Sequence, residues 1–241
     1  VEAASDMTVT ALVEFLNGTG SNHAAVSAPG RDILVNTRTD TTAKVFGQIK
    51  FTVDGLSFLS TDVKNRMNIA STVNLGAYTE LSAGNDLSIA ALIGSIYALA
   101  SAYSETGSII NTQSRPTAEV NVTAKAWIRG AENVKLSAAN LLSLVAATAE
   151  NNNIYTKAYS YGFTAGGTGS VVSKAVNNTK LYGQIDILGD QSELHGKDIY
   201  ISASAPRESE VQYRKEAKYR AETVTEFVKQ TVERITTTIE K

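Results

Sequence analysis

Residues that could carry out catalysis are few in this sequence. His23 and His195 are its two histidines, and it contains no cysteine. A serine nucleophile needs a neighbouring histidine and a sharp turn that presents it, and no serine stands in the Gly-x-Ser-x-Gly pattern of such a turn. We therefore expect no catalytic residue and no enzyme activity, and we place His195 at a solvated turn.

Three acidic residues form a second candidate site. Asp186, Asp190 and Glu193 cluster near a bend. Paired carboxylates are what a carbohydrate-cleaving enzyme uses to protonate and attack a glycosidic bond. A solvated loop explains the same cluster more simply, and we prefer that interpretation.

Aspartates that follow glycine or another small residue could suggest calcium-binding coils. Such coils use Gly-Gly-x-Gly-x-Asp at a short period, whereas Asp32 and Asp86 are 54 residues apart. We interpret Asp32, Asp86 and Asp198 as residues that cap turns, and we predict no metal and no cofactor. The glycine-rich run 166–170 lacks the lysine of a phosphate-binding loop and is interpreted as a corner loop.

Aromatic residues offer a binding role instead of a catalytic one. Trp127, Tyr155, Tyr159 and Tyr161 have flat apolar rings with a polar group, which suits them to stack on sugars. Packing in the core or on the surface is the simpler alternative, and both remain open.

Composition limits the class of protein. The 241 residues include 22 Lys+Arg and 24 Asp+Glu, a net charge of −2, so no basic stripe for nucleic acid is expected. No apolar run reaches the ~18–20 residues of a membrane helix. Aromatic residues make up only 7% of the chain. An abundance of small and β-branched residues favours a narrow, stacked interior over a globular core.

A turn-plus-strand pattern recurs in the sequence. Each copy has a small residue, a polar residue, Asp or Asn, and then apolar–any–apolar. Glycine accepts a positive φ at a tight corner, Asp or Asn hydrogen-bonds nearby backbone, and the alternation predicts a half-buried strand. The predicted turn residues are Gly30, Asp32, Gly84, Asp86, Asn133, Gly196 and Asp198.

These turns predict the architecture of residues 1–205. Their Asp or Asn positions are 54, 47 and 65 residues apart. We expect each interval to hold two or three coils of roughly 20 residues, within the range of solenoid repeats. A second repeat matches Lys44–Phe51 with Lys180–Ile187. The fold prediction is all-β, a right-handed parallel β-solenoid of about ten coils and roughly 50 Å in length.

Two apolar stretches are ambiguous between strand and helix. Leu92, Ile93, Ile96 and Leu99 in 88–103 have helical spacing. So do Leu141, Leu144, Val145 and Thr148 in 137–150. Periodicity alone does not decide between helix and strand for such short runs.

The composition changes at Pro206, where the sequence becomes charged. Opposite charges at i,i+4 and an apolar stripe predict a second region, an amphipathic C-terminal α-helix in 206–241. The stripe packs on the solenoid of this chain or contacts a neighbouring chain. Its candidate partner-contact residues are Val224, Phe227, Val228, Val232, Ile235 and Ile239.

The segment Leu81-Ser82-Ala83-Gly84-Asn85-Asp86-Leu87-Ser88-Ile89-Ala90-Ala91 resembles the repeats of filamentous-haemagglutinin-like exoproteins. Together with Ser114-Arg115-Pro116-Thr117-Ala118-Glu119-Val120-Asn121-Val122, it resembles their leukotoxin-type filamentous adhesins. The resemblance covers about residues 10–205. It implies a long right-handed β-helix, secreted and displayed on the bacterial surface, of which this chain is a fragment or a short relative.

From this resemblance we expect a structural and adhesive segment that attaches to host or bacterial surfaces, through protein or glycan. Two alternatives stay open. One is a self-assembling extracellular fibre subunit, which associates end to end or through its C-terminal helix. The other is a β-helix carbohydrate-active enzyme or tailspike.

Overall fold

The part of the chain that the structure describes forms β-strands joined by short turns. The structure is a computed structural model, and it describes residues 1–20, 22–49, 53–164, 168–187, 189, 191–205, 214–219 and 222–227. Alternating sequence explains the strands: every second side chain of Ile33–Val45 is buried. The strands are β1 (Glu2–Phe15), β2 (Ala24–Ala28), β3 (Ile33–Ile49), β4 (Val53–Leu75), β5 (Thr79–Ala83), β6 (Leu87–Gly130), β7 (Lys135–Ala138), β8 (Leu141–Thr164), β9 (Thr168–Val171), β10 (Lys174–Ile187), β11 (Glu193–His195), β12 (Asp198–Ser204), β13 (Arg214–Tyr219) and β14 (Glu222–Phe227).

The strands stack as a parallel β-solenoid with three faces. The short face is a four-stranded sheet of β2, β5, β7 and β11. The first long face contains β3, the beginning of β6, β8 and β12, and the second long face contains β1, the end of β4, the end of β6 and β10. Both long faces belong to one continuous sheet, because β4, β6 and β8 run on from one strand partner to the next without a break.

The predicted coil length is wrong. Ile33 pairs with Leu87, Leu87 pairs with Leu142, and the next-coil contact from Asp86 to Leu141 spans 55 residues. One interval between equivalent turns is therefore one coil, not two or three. In the part of the chain that the structure describes, three complete coils, with β1 before them and β11 and β12 after them, replace the predicted ten. Since β3 has 17 residues, each long face extends about 55 Å along its strands but only about 15 Å across the stack.

Neither ambiguous stretch is a helix: 88–103 lies in β6, and 137–150 comprises the end of β7, a bend at 139–140 and the beginning of β8. The helical spacing in 88–103 has a local cause. The pairing of β3 with β6 shifts register there: Thr39 pairs with Ile93 and Asp40 with Ser95, so Gly94 is an extra residue in β6, at a β-bulge. The extra residue places both Ile93 and Ile96 inside, at 2% and 0% exposed. A bulge in a strand thus mimics the three-residue spacing of a helix face.

The C-terminal helix is not confirmed. In 206–241 the described residues form β13 and β14, which pair antiparallel, and β13 also pairs in parallel with 158–161 of β8. Those two segments are strands, so the helix prediction is wrong for them. The rest of 206–241 lies outside the described residues, including Val228, Val232, Ile235 and Ile239.

The interior tapers from the short face toward the far end of the long faces. Beside the short face it is filled by large side chains such as Leu81 and Leu142, and further along by Ala100 and Ala124, all 0% exposed. At the far end it holds Ser104, Ser114 and Ser160, joined by hydrogen bonds of 2.8 and 2.7 Å between their hydroxyl oxygens. Side-chain volume falls as the two faces converge, which keeps the interior close-packed.

Glycines mark the tightest points of this interior. The repeat that matches Lys44–Phe51 with Lys180–Ile187 does not stack, because Gly47 lies on the first long face and Gly183 on the second. Both glycines point inward and are buried. A Cβ on Gly183 would lie 2.7 Å from the backbone oxygen of Ala146 and against that of Ser204. The two matching segments therefore share a glycine because the interior has no room for a side chain at either position, although the positions lie on opposite faces.

Replacing Gly183 with alanine should destabilise the fold. The added methyl group meets backbone atoms, which move less readily than a side-chain end, so we expect a loss of about 1–3 kcal/mol in the free energy of unfolding. The measurement is urea unfolding followed by circular dichroism. Gly20→Ala is the control, because its methyl group would meet only Tyr78, at 3.9 Å. Equal midpoints for the two variants would contradict this account of the interior.

Candidate functional site

The predicted turn aspartates join successive coils at the corner between the short face and the first long face. The Oδ1 atom of Asp32 accepts hydrogen bonds from the Asn85 side chain at 2.7 Å and from the Asp86 backbone at 3.1 Å. Asp86 does the same one coil on, accepting from the Asn140 side chain at 2.9 Å and from the Leu141 backbone at 3.1 Å. Each carboxylate therefore caps the corner above it in the stack, and we name this arrangement the corner ladder.

Three predicted turn residues on the same corner have different roles. Gly30 has a φ of 70°, as expected for a tight turn. Gly84 is required by close approach, because a Cβ there would press on the backbone of Pro29 and Gly30. Asp198 donates its backbone N–H to Asn140 at 2.9 Å, and it follows Gly196 in the last of the stacked corners.

Asn133 lies in a turn, but not in the corner ladder. It belongs to the corner between the second long face and the short face, where its φ is 57°. Tyr78 and Gln191 occupy the same position in neighbouring coils, with φ of 58° and 67°. Asn133 and the turn aspartates therefore belong to two different corners of the coil. The predicted intervals of 47 and 65 residues, which were counted to and from Asn133, do not join equivalent turns. Asn adopts a positive φ more readily than most residues, so Asn133 can be predicted as a turn residue. A tyrosine such as Tyr78 does not predict a positive φ.

The candidate catalytic residues are dispersed. His195 is exposed at the end of β11, and its Nε2 lies 3.1 Å from Glu193. This hydrogen bond, followed by the charge of Lys135, holds the pKa of Glu193 below its usual value. His23 lies 3.6 Å from Glu80. Asp186 is on the second long face, away from Glu193 on the short face, so these two acids do not form a pair; Asp190 lies outside the described residues.

Within the described ranges, no group of three or more His, Asp or Glu side chains is arranged to hold a metal ion. Among these same residues no helix has the length and apolar character needed to cross a membrane. The carboxylates of Asp32 and Asp86 are engaged by the corner ladder.

Tyrosines from two neighbouring coils meet on the outside of the first long face. Tyr103 and Tyr159 are paired in register, and the rings of Tyr97 and Tyr155 lie 6.0 Å apart. Phe46 extends the group into the previous coil and is 63% exposed. We name this group the tyrosine surface: Phe46, Tyr97, Tyr103, Tyr155, Tyr159 and Tyr161.

Polar and charged groups are interleaved with these rings. The Lys44 ammonium lies 5.0 Å from the centre of the Tyr97 ring. The Tyr103 hydroxyl donates to Glu105 at 3.0 Å, and burial, followed by this hydrogen bond, raises the pKa of Tyr103. The sequence had singled out Tyr155, Tyr159 and Tyr161. The others were missed because only the true coil length brings Tyr97 and Tyr103 beside them.

Trp127 is held on the outside of the second long face. Its Nε1 donates to Asp186 Oδ2 at 2.8 Å, and the Lys125 ammonium lies 3.2 Å from the ring centre. Trp127 is therefore a surface residue, half-buried by polar neighbours, on the face opposite the tyrosine surface. Of the predicted partner-contact residues, Val224 and Phe227 lie in β14.

Removing the Asp86 carboxylate should weaken the contact between coils. In Asp86→Ala the Leu141 N–H and the Asn140 amide lose their acceptor, so we expect a loss of about 1–2 kcal/mol in unfolding free energy. Asp198→Ala is the matched control at the same corner, since no described group donates to its side chain; it should change stability by less than about 0.5 kcal/mol. Thermal or urea unfolding of both variants measures this, and equal losses would refute the ladder.

Comparison with known proteins gives no match: no family model, no curated protein and no solved structure is similar to this chain. Its functional interpretation therefore depends on the geometry described above.

Proposed function

We propose that this chain is a segment of a right-handed parallel β-solenoid in a secreted bacterial surface filament, and that it mediates attachment to cells or surfaces. The observation that carries the proposal is the tyrosine surface. Aromatic side chains from three coils lie together on the outside of a long, nearly unbroken face. The sequence resemblance to filamentous-haemagglutinin-like adhesins supports the cell-surface location.

Tyrosine is well suited to such contacts. It offers a large, rigid apolar area with a hydroxyl group at its tip, and it loses little conformational entropy on binding. Phe46, Tyr155 and Tyr161 are 63%, 40% and 43% exposed, although burying such rings in the fold would be favourable. Exposed apolar residues clustered in this way mark interaction sites more often than single exposed residues do.

The solenoid supplies the support that an attachment surface needs. Tyr97 and Tyr103 project from β6, which pairs with β3 on one side and β8 on the other, and the remaining rings project from those two partner strands. A rigid platform limits the entropy lost when a partner binds. The partner is a protein or glycan on a host or bacterial surface.

Attachment is tested with beads coated with the whole chain and applied to epithelial cells and to bacterial lawns. The variant Tyr97→Ser/Tyr155→Ser/Tyr161→Ser should reduce retained beads at least about tenfold, because aromatic anchors contribute most of the energy at such surfaces. Tyr200→Ser is the control, since Tyr200 is 54% exposed on the same long face but pairs with Ser143, far from the tyrosine surface. Unchanged retention by a folded triple variant would refute this role of the surface.

A self-assembling fibre subunit remains the second candidate. In the described chain, β1, β2 and β3 each pair with a strand on one side only. Their other edges present backbone groups that can pair with another strand. Sedimentation velocity over a hundredfold range of concentration separates the two candidates. Growth into long species would favour the fibre, and a constant sedimentation coefficient would remove it.

A further inference from the structure

A groove of about 510 Å³ opens on the outside of the second long face, near its corner with the short face. Its polar lining comes from residues in successive coils. Glu14 pairs with Asn74, Asn74 with Arg129, and Arg129 with Asp186. A carboxylate, an amide, a guanidinium and a second carboxylate thus stand in one row, about 4.8 Å apart.

One end of this row is rigid. Asp186 is 8% exposed, and its Oδ2 atom accepts hydrogen bonds from Trp127 at 2.8 Å and from Gln184 at 2.7 Å. Lys125 covers part of the indole ring. The Trp127 side chain, which lines the groove, is therefore fixed by contacts on several sides.

The other three residues of the row have hydrogen-bonding capacity that the described part of the chain does not use. Within the described residues, Glu14, Asn74 and Arg129 have side chains that make no hydrogen bond or ion pair with the chain. The Arg129 guanidinium only faces the Trp127 ring, 5.3 Å from its centre. The amide of Asn74 both donates and accepts, Glu14 accepts and Arg129 donates. These groups converge on the groove beside Leu16, which is 74% exposed.

This combination selects one chemical class of ligand. An anion such as phosphate would meet Arg129 but also the carboxylates of Glu14 and Asp186, which repel it. A purely apolar ligand would cover Glu14 and Arg129 without giving them a hydrogen-bond partner, which is costly. A sugar ring has hydroxyl groups that donate and accept, together with an apolar C–H surface.

We propose that this groove binds a saccharide. Ring hydroxyl groups bond to Glu14, Asn74 and Arg129, and C–H groups pack against Trp127 and Leu16. The groove is on the long face opposite the tyrosine surface. Saccharide binding in the groove can therefore be tested independently of the proposed attachment function.

Trp127 is the single tryptophan of the chain, so its fluorescence reports on the groove alone. The probes are cellotetraose, chitotetraose, maltotetraose, lactose and sialyllactose, each titrated into the whole chain. We expect at least one of them to change the tryptophan emission saturably. Inorganic phosphate, titrated in parallel, should leave it unchanged.

Variants locate the binding. Arg129→Ala and Asn74→Ala should each weaken the affinity for that saccharide about tenfold, since each removes a hydrogen-bond partner. Arg66→Ala is the matched control, because Arg66 lies on the same strand face but pairs with Asn121, outside the groove. Melting temperatures confirm that all three variants are folded.

Three outcomes would overturn the proposal. They are an emission that none of the five saccharides changes, a response to phosphate alone, and a saccharide affinity unaltered in both Arg129→Ala and Asn74→Ala. A saccharide response in the folded Tyr97→Ser/Tyr155→Ser/Tyr161→Ser variant, whose beads no longer attach, would show that the groove and the tyrosine surface act separately.

Discussion

Parallel pairing of each strand with the strand one coil away is the constraint on which the rest of this structure depends. Every residue of a long face must find its partner about 55 residues on. A shift by one residue would exchange the inner and outer sides of the face. The chain therefore absorbs differences in length where the faces meet. The segment between β1 and β2, which contains the Thr19–Asn22 bridge, is longer than the segment between β4 and β5. As a result β1 pairs with residues 60 positions on, as Glu2 does with Asp62, whereas β2 pairs with residues 55 positions on, as Ala24 does with Thr79.

The same constraint explains why the interior carries so many small and polar side chains. Two faces that belong to one folded sheet converge at their bend, so large buried residues predominate near the short face and alanine becomes frequent further along. Where the faces are close, polar groups bond across the interior. The Ser71 hydroxyl donates to Thr37 at 2.7 Å, and the Asn65 amide donates to the backbone oxygens of Ala43 and Leu99 at 3.1 Å. These hydrogen bonds offset the cost of burying the Ser71 hydroxyl and the Asn65 amide N–H groups, although the Asn65 Oδ1 atom has no partner among the described residues.

Much of the fold can be predicted from the sequence, and what cannot be predicted has a physical cause. Alternation of apolar and polar residues predicts the strands, and the Gly-x-Asp turns predict the parallel stacking. The coil length cannot be predicted because Asp marks only one of the corners. At the other corner Asn133 is replaced in the neighbouring coils by Tyr78 and Gln191, whose residue types do not predict a turn. The bend within β6 carries no break in the strand. With the wrong coil length, neither the tyrosine surface nor the row Glu14–Asn74–Arg129–Asp186 can be predicted, because each is assembled from residues of several coils.

The pairing between coils also indicates which positions of such a chain are free to form a binding surface. The inner side of each strand is restricted by volume, as Gly183 illustrates, and the corner ladder restricts Asp32 and Asp86. Outward side chains are restricted by neither. A substitution there changes one position in a row whose neighbours lie about 4.8 Å away in the next coil. Binding surfaces can therefore be assembled one coil at a time without disturbing the stack. The two long faces differ in this respect: the first presents aromatic rings, and the second presents charged and amide side chains around Trp127.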